Sequence, residues 1–304
     1  MFAAFLTTIF FALSAIFANR SLRAVGATRA NLGRLLFAAL CLGTYAHLVG
    51  GGLRGAGRDW LLLSGVIGMG LGDLALFSAF PLLGSRLSVL MTQCLAAPVA
   101  MVAERLWLGT RLGHAQLFWS FVILSGVAIA LLPSRSNPPR VHVRPIGFLF
   151  GLLAACGQGL GAVVSRKANA LTALAGEPID GITAAYQRIL GGLAITLVWF
   201  ALRAAFAKKS PPPPGDAPAP PLSPPPSAYL WIPLNALCGA VIGVSCYQWA
   251  LATTPSGIVL PIVACTPLVI VPLSYWFDGE HPTRRSLVGG VIAVAGSIAL
   301  TLAR

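Results

Sequence analysis

Ten apolar runs, each close to the length of a membrane-crossing helix, follow one another along this chain. They fall approximately at 2–18, 31–49, 60–82, 86–104, 113–132, 146–165, 182–206, 229–251, 258–277 and 286–303. A helix needs about 20 apolar residues to cross the hydrocarbon of a bilayer. Only helices and closed barrels satisfy their backbone there, and the period-2 alternation of a barrel strand is absent. Composition agrees: charged residues make up 10% of the chain and hydrophobic residues 57%, whereas a soluble domain carries roughly 25% charge to wet its surface. The expected fold class is therefore all-α, a polytopic membrane protein of about ten transmembrane helices with the lipid bilayer as solvent.

The net charge of +13 does not point to nucleic acid. The Lys and Arg residues stand singly or in twos and threes between apolar runs, with no continuous basic face. Basic loops against anionic headgroups account for them. The opening stretch MFAAFLTTIFFALSAIFANR lacks the positive leader of a signal peptide, so it reads as the first span. The six cysteines lie in apolar runs without a CxxC pair, and no HExxH is present. No metal and no cofactor is expected.

The chain divides near its middle. A first unit, 1–132, is followed by a Pro/Arg linker at 133–145 and a second unit, 146–304. The second unit contains a proline-rich loop at 210–227 between spans 7 and 8, which reads as an extended tether outside the membrane. Landmarks recur in order. VIG at 66–68 with Ala75-Leu76 returns as VIG at 241–243 with Ala250-Leu251. Arg34 opens span 2 and Arg188 opens span 7; Pro98 and Pro267 lie in spans 4 and 9. Gly109 and Gly126 have the spacing of Gly279 and Gly296. Each unit holds five spans, an odd number, so the second must run through the membrane in the opposite sense. That is an inverted repeat, a frequent transporter architecture with its site near the midplane. Both termini then share one face. Loops after the odd-numbered spans carry twelve Lys and Arg and the other loops six, which by charge alone places the termini outside.

The stretches RLLFAAL at 34–40, PVAMVAERLWLG at 98–109, QRILGGLAI at 187–195, PLVIVPLSYWFDGE at 267–280 and GGVIAVAGSIAL at 289–300 resemble the drug/metabolite transporter superfamily, specifically its EamA-type ten-helix members. Gly279-Glu280 fits the family's Gly-Glu after span 9, whereas Gly109 is followed by Thr110, a departure. The resemblance implies a metabolite carrier of the cytoplasmic (inner) membrane, often an exporter of amino acids or related compounds. It also implies cytoplasmic termini, against the charge count, and the family's orientation is the one preferred here.

Asp73, in IGMGLGDLALF, is the most informative polar residue. A carboxylate at that depth is costly and is rarely without a role, as a substrate-amine contact or a proton-coupling site. The bland alternative is a helix-bridging acid. The repeat pairs Asp73 with Gln248. Gln93, Gln158, Tyr186, Gln187, Arg188 and Tyr247 complete the candidate substrate-binding set, each also explicable as glue between helices. Arg34 and Arg188 lie near span ends, where snorkelling is the alternative. Glu104 with Arg105, and Asp278 with Glu280, read as interfacial or pairing residues at span ends, not catalysts. The Gly147/Gly151, Gly157/Gly161 and Gly239/Gly243 pairs predict close helix contacts.

Two rival classes fare worse. Gly70-Leu71-Gly72-Asp73 matches the GxGD of intramembrane aspartyl proteases, but that chemistry needs two carboxylates in one site. No second aspartate stands at mid-depth. A non-transporting subunit has no need of an inverted bundle with matched inward polar residues. The expectation is a secondary transporter of small metabolites, not an enzyme.

Overall fold

The computed structural model describes residues 1–25, 27–83, 85–131, 143–207, 229–278 and 284–303. The proline-rich loop 210–227, most of the linker 133–145, and Gly279-Glu280 lie outside the described residues. Among the described residues the regular structure is helical and makes ten spans. Eight are Phe2–Val25, Ala27–Leu48, Arg58–Leu83, Ser85–Leu108, His114–Leu131, Ile146–Leu174, Gly181–Ala207 and Trp231–Thr253. The ninth is two pieces, Ser256–Val263 and Thr266–Asp278, and the tenth is Arg284–Leu302. Seven of these are long and apolar enough to cross a membrane, and Phe2–Ala18 and Ser256–Ile270 are shorter apolar helices. The second span opens on Arg29, Asn31 and Arg34.

Two boundaries differ from the sequence reading for identifiable reasons. The apolar run of the sixth span ends at Ser165, yet the helix continues to Leu174. Arg166, expected in a loop, stays in the helix because Glu104 meets its charge at 3.1 Å. The ninth span, expected to be continuous, breaks at Ala264-Cys265. Pro267, with no N–H to donate, is tolerated in the first turn of the new segment. Of the two short turns expected, the first holds Gly84, which lies outside the described residues, and the second, between spans 8 and 9, is present. The second uses extended Thr254 and Pro255.

The third and eighth spans share an irregularity no pattern announced. Val66–Gly72 and Ala236–Gly243 are π-helical, and each contains its copy of the VIG landmark. Packing repeats in the same inverted manner. Gly157 and Gly161 of the sixth span meet the third, where an added Cβ would lie 2.6 Å from the Gly72 Cα and 3.1 Å from the Gly68 Cα. The first span meets the eighth through Ser14, which bonds Asn235 at 2.6 Å, and through Phe11 against Gly243. The fifth and tenth cross each other: Gly126 abuts Ala293, and Gly296 abuts Ile123. Those two contacts exchange when the repeats are exchanged. The fold is two inverted five-helix repeats.

The interior is built largely of alanine and glycine, while Leu40, Leu106, Val291 and Leu302 face outward and exposed. Small residues let backbones approach where lipid supplies no hydrophobic drive between helices. Many large apolar side chains face the lipid, although Leu35, Leu42, Ile123, Ile189 and Leu251 are fully buried.

Candidate functional site

Spans 2 and 3 of the first repeat meet spans 7 and 8 of the second along the middle of the bundle. Asp73 begins the α-helical segment directly after the first π-helical stretch. π-Helical turns leave the i→i−4 ladder irregular and often mark functional sites. The carboxylate pairs with Arg34 of the second span at 3.6 Å, with side chains 30% and 21% accessible. Arg34 also donates to Asn31 at 2.9 Å. Arg188 of the seventh span is within electrostatic reach of the same carboxylate.

Arg188 is buried, and its guanidinium lies 5.1 Å over the ring of buried Tyr247. A cation against a desolvated aromatic face contributes up to about 2 kcal/mol. Gly68 makes room for it: a Cβ there would stand 2.9 Å from a terminal guanidinium nitrogen. Gln248 is buried next to Tyr247. The Nε of Arg188, the Tyr247 hydroxyl and both amide atoms of Gln248 are buried without a hydrogen-bond partner. Such atoms cost about 1–3 kcal/mol each, so this cluster lowers the stability of the bundle.

The other expected site residues lie apart from this cluster. Gln93 and Gln158 bond to each other at 3.4 Å across spans 4 and 6. Tyr186 turns to His47, hydroxyl to Nε2 3.2 Å. Gln187 donates to the carbonyls of Gly52 (2.9 Å) and Arg54 (3.1 Å), fastening the loop after the second span. Tyr186, Gln187 and Arg188 are consecutive, so a helix fans them about 100° apart and only one can face a given partner. Arg34 was missing from the expected site set. Its place opposite Arg188 in the repeat was the available signal.

A second polar group closes the face that carries residues 2 and 302. Buried Glu104 accepts from Arg166 (3.1 Å), from the backbone N–H of Ser256 (2.8 Å) and from the Ser256 hydroxyl. Thr110 adds a bond at 3.2 Å. Arg166 also donates to the Leu251 carbonyl at 2.9 Å. Span 4, span 6 and the turn joining spans 8 and 9 are thereby tied at one end. Glu104 is a pairing residue, as its position suggested. Among the described residues no group of three or more His, Cys, Asp and Glu is placed to hold a metal ion.

Comparison with known proteins follows this architecture. The model of the EamA-like transporter family matches residues 1–132 and 145–302. A search of curated proteins finds no match. A solved crystal structure superposes with a TM-score of 0.75, covering 99% of this chain and 96% of its own, at 16% identity. That likeness concerns the fold. With both repeats matched over nearly all of its length, the chain belongs to the EamA-like transporter family.

Proposed function

We propose that the protein is a secondary transporter of small organic metabolites, working by alternating access and exporting amino acids or related compounds across the cytoplasmic membrane. The observation that carries this reading is the meeting of polar groups from both repeats between spans 2, 3, 7 and 8. Arg34 and Asp73 come from one repeat, and Arg188, Tyr247 and Gln248 from the other. Inverted repeats supply two interchangeable halves around such a site. The tie at Glu104 supports the mechanism, because a partly buried ion pair at one end gives the bundle a fastened arrangement that a rocking motion can exchange for another.

Asp73 is the coupling site of this proposal, either as partner of a substrate amine or as the group that carries a proton. Gln93 and Gln158, bonded to each other across spans 4 and 6, lie apart from it. The experiment is transport by the purified chain in proteoliposomes loaded with a panel of amino acids, with and without a pH gradient. Export of at least one class above empty liposomes is expected. Equal flux with and without the protein for the entire panel would remove the transport reading.

A further inference from the structure

We infer that Arg188, Tyr247 and Gln248 form a receptor for a carboxylate, so that the cargo is a small organic acid or zwitterion and not a simple amine. The inference deepens the transport reading and rests on it for its physiological meaning. Its physical basis is separate: four orphaned polar atoms on three buried side chains of two neighbouring spans.

Charge is the first argument. Between spans 2, 3, 7 and 8 stand two guanidinium groups, Arg34 and Arg188, and one carboxylate, Asp73. Arg34 is the nearer partner of Asp73, at 3.6 Å. Buried Glu104 is committed to Arg166 and Ser256. Arginine does not give up its proton in a protein, and an uncompensated buried charge is strongly destabilising. The middle of the bundle therefore carries an excess positive charge, centred on Arg188, that an anionic cargo neutralises.

Donor chemistry is the second argument. The unpartnered Nε of Arg188, the Tyr247 hydroxyl and the Gln248 Nε2 are donors. A planar guanidinium grips a carboxylate through two parallel bonds, a geometry a spherical anion cannot use. The Gln248 Oε1 is an unpartnered acceptor, and it suits an N–H of the same cargo. Gly68 keeps the side of Arg188 free of any side chain, and Asp73 follows one π-turn later in the same span. A zwitterion would thus meet Arg188 with its acid and the Asp73 end with its amine.

The test uses the full-length chain in detergent and in proteoliposomes. The probes are leucine and phenylalanine, each beside its carboxamide and its decarboxylated amine, with chloride and phosphate as controls. Thermal stabilisation reports binding independently of flux, because a ligand of the folded state raises the midpoint. The acids should stabilise the wild type, the amides and amines at least tenfold less in apparent affinity, and Arg188→Gln should abolish the difference. Tyr247→Phe retains the ring under the guanidinium and loses one donor, so it should weaken acid binding alone. If amines cross the membrane as well as acids, transport stands and the carboxylate receptor falls. Equal stabilisation by acid and amide overturns the inference, as does a shift that survives Arg188→Gln. So does a shift reproduced by chloride or phosphate, or the absence of any shift from the acids.

Discussion

The two repeats present equivalent positions in different conditions. In the first, Arg34 and Asp73 form an ion pair that keeps about a quarter of its side-chain surface accessible. In the second, Arg188 is closed over Tyr247, and Gln248 is sealed with both amide atoms unpaired. The scaffold beneath them is nearly symmetric, as the exchanged contacts Gly126–Ala293 and Gly296–Ile123 show. In an inverted repeat the two halves can exchange such conditions. Under the proposed mechanism, exchanging the two conditions gives the opposite state. The asymmetry lies in side chains, and single substitutions can address each side of it.

The largest effect is expected where the closed end is tied. Glu104→Ala leaves the partly buried Arg166 with only the Leu251 and Ala252 carbonyls, and breaking a buried pair from one side costs up to about 3–5 kcal/mol. It also unfastens the N–H of Ser256 from span 4. The thermal midpoint of the detergent-solubilised chain should fall by many degrees, and what remains folded should favour the conformation opened on that face. Cysteine-accessibility labelling near Leu251 reports the opening. A midpoint within one degree of wild type would show that the tie contributes nothing.

Next comes the accessible half of the site. Asp73→Asn keeps the shape but removes the charge opposite Arg34, a partly accessible ion pair at 3.6 Å that contributes at most about 1 kcal/mol. Transport should fall tenfold or more, or lose its dependence on pH, while the protein still accumulates in the membrane. Rates and pH profile matching the wild type in vesicles would reduce Asp73 to a bridge between helices. The amide could serve that role as well as the acid.

Much of this comparison was legible in the sequence, and the reasons for the rest are physical. The repeated VIG and Ala-Leu spacing identified Asp73 and Gln248 as counterparts, because an inverted repeat preserves local helix register. It could not say that Asp73 is paired and Gln248 is not. The partner of Asp73 lies on a different span, and local register does not encode how spans lean together. The π-helical turns at 66–72 and 236–243 were invisible for a related reason. Both stretches are apolar on every side, so a change in residues per turn leaves no trace in the pattern. Gln187 shows how little residue type says about partners. A polar side chain in a span looks like a site residue, but this one faces the loop carbonyls of Gly52 and Arg54.

The symmetric scaffold makes its own, smaller prediction. Alanine at Gly126 places a Cβ 2.7 Å from the backbone N of Ala293 and the Gly289 carbonyl. At Gly296 the nearest atom is a side-chain carbon of Ile123 at 3.0 Å. Backbone cannot yield as a side chain can, and overpacking costs about 1–3 kcal/mol. Gly126→Ala should therefore lower the melting midpoint more than Gly296→Ala, although the positions are counterparts. Equal losses would mean that the fifth and tenth spans separate freely enough to absorb either methyl.

The smallest effect has the opposite sign. Methionine has nearly the volume of glutamine and no amide, so Gln248→Met removes two buried atoms that have no partner and leaves little cavity. Replacing an unsatisfied polar group by an apolar one of the same shape is neutral to stabilising, by about 1 kcal/mol here. If the amide is kept for a ligand, that gain should come with a loss of flux. The midpoint should rise by a few degrees while transport of acids declines. The same exchange at Asp73 would lower both, since that side chain already has Arg34 as its partner. Opposite signs at two counterpart positions are what a half-sealed site requires. A Gln248→Met variant that is less stable than wild type and transports normally would sink this account, because the amide would then be holding helices together and not waiting for cargo.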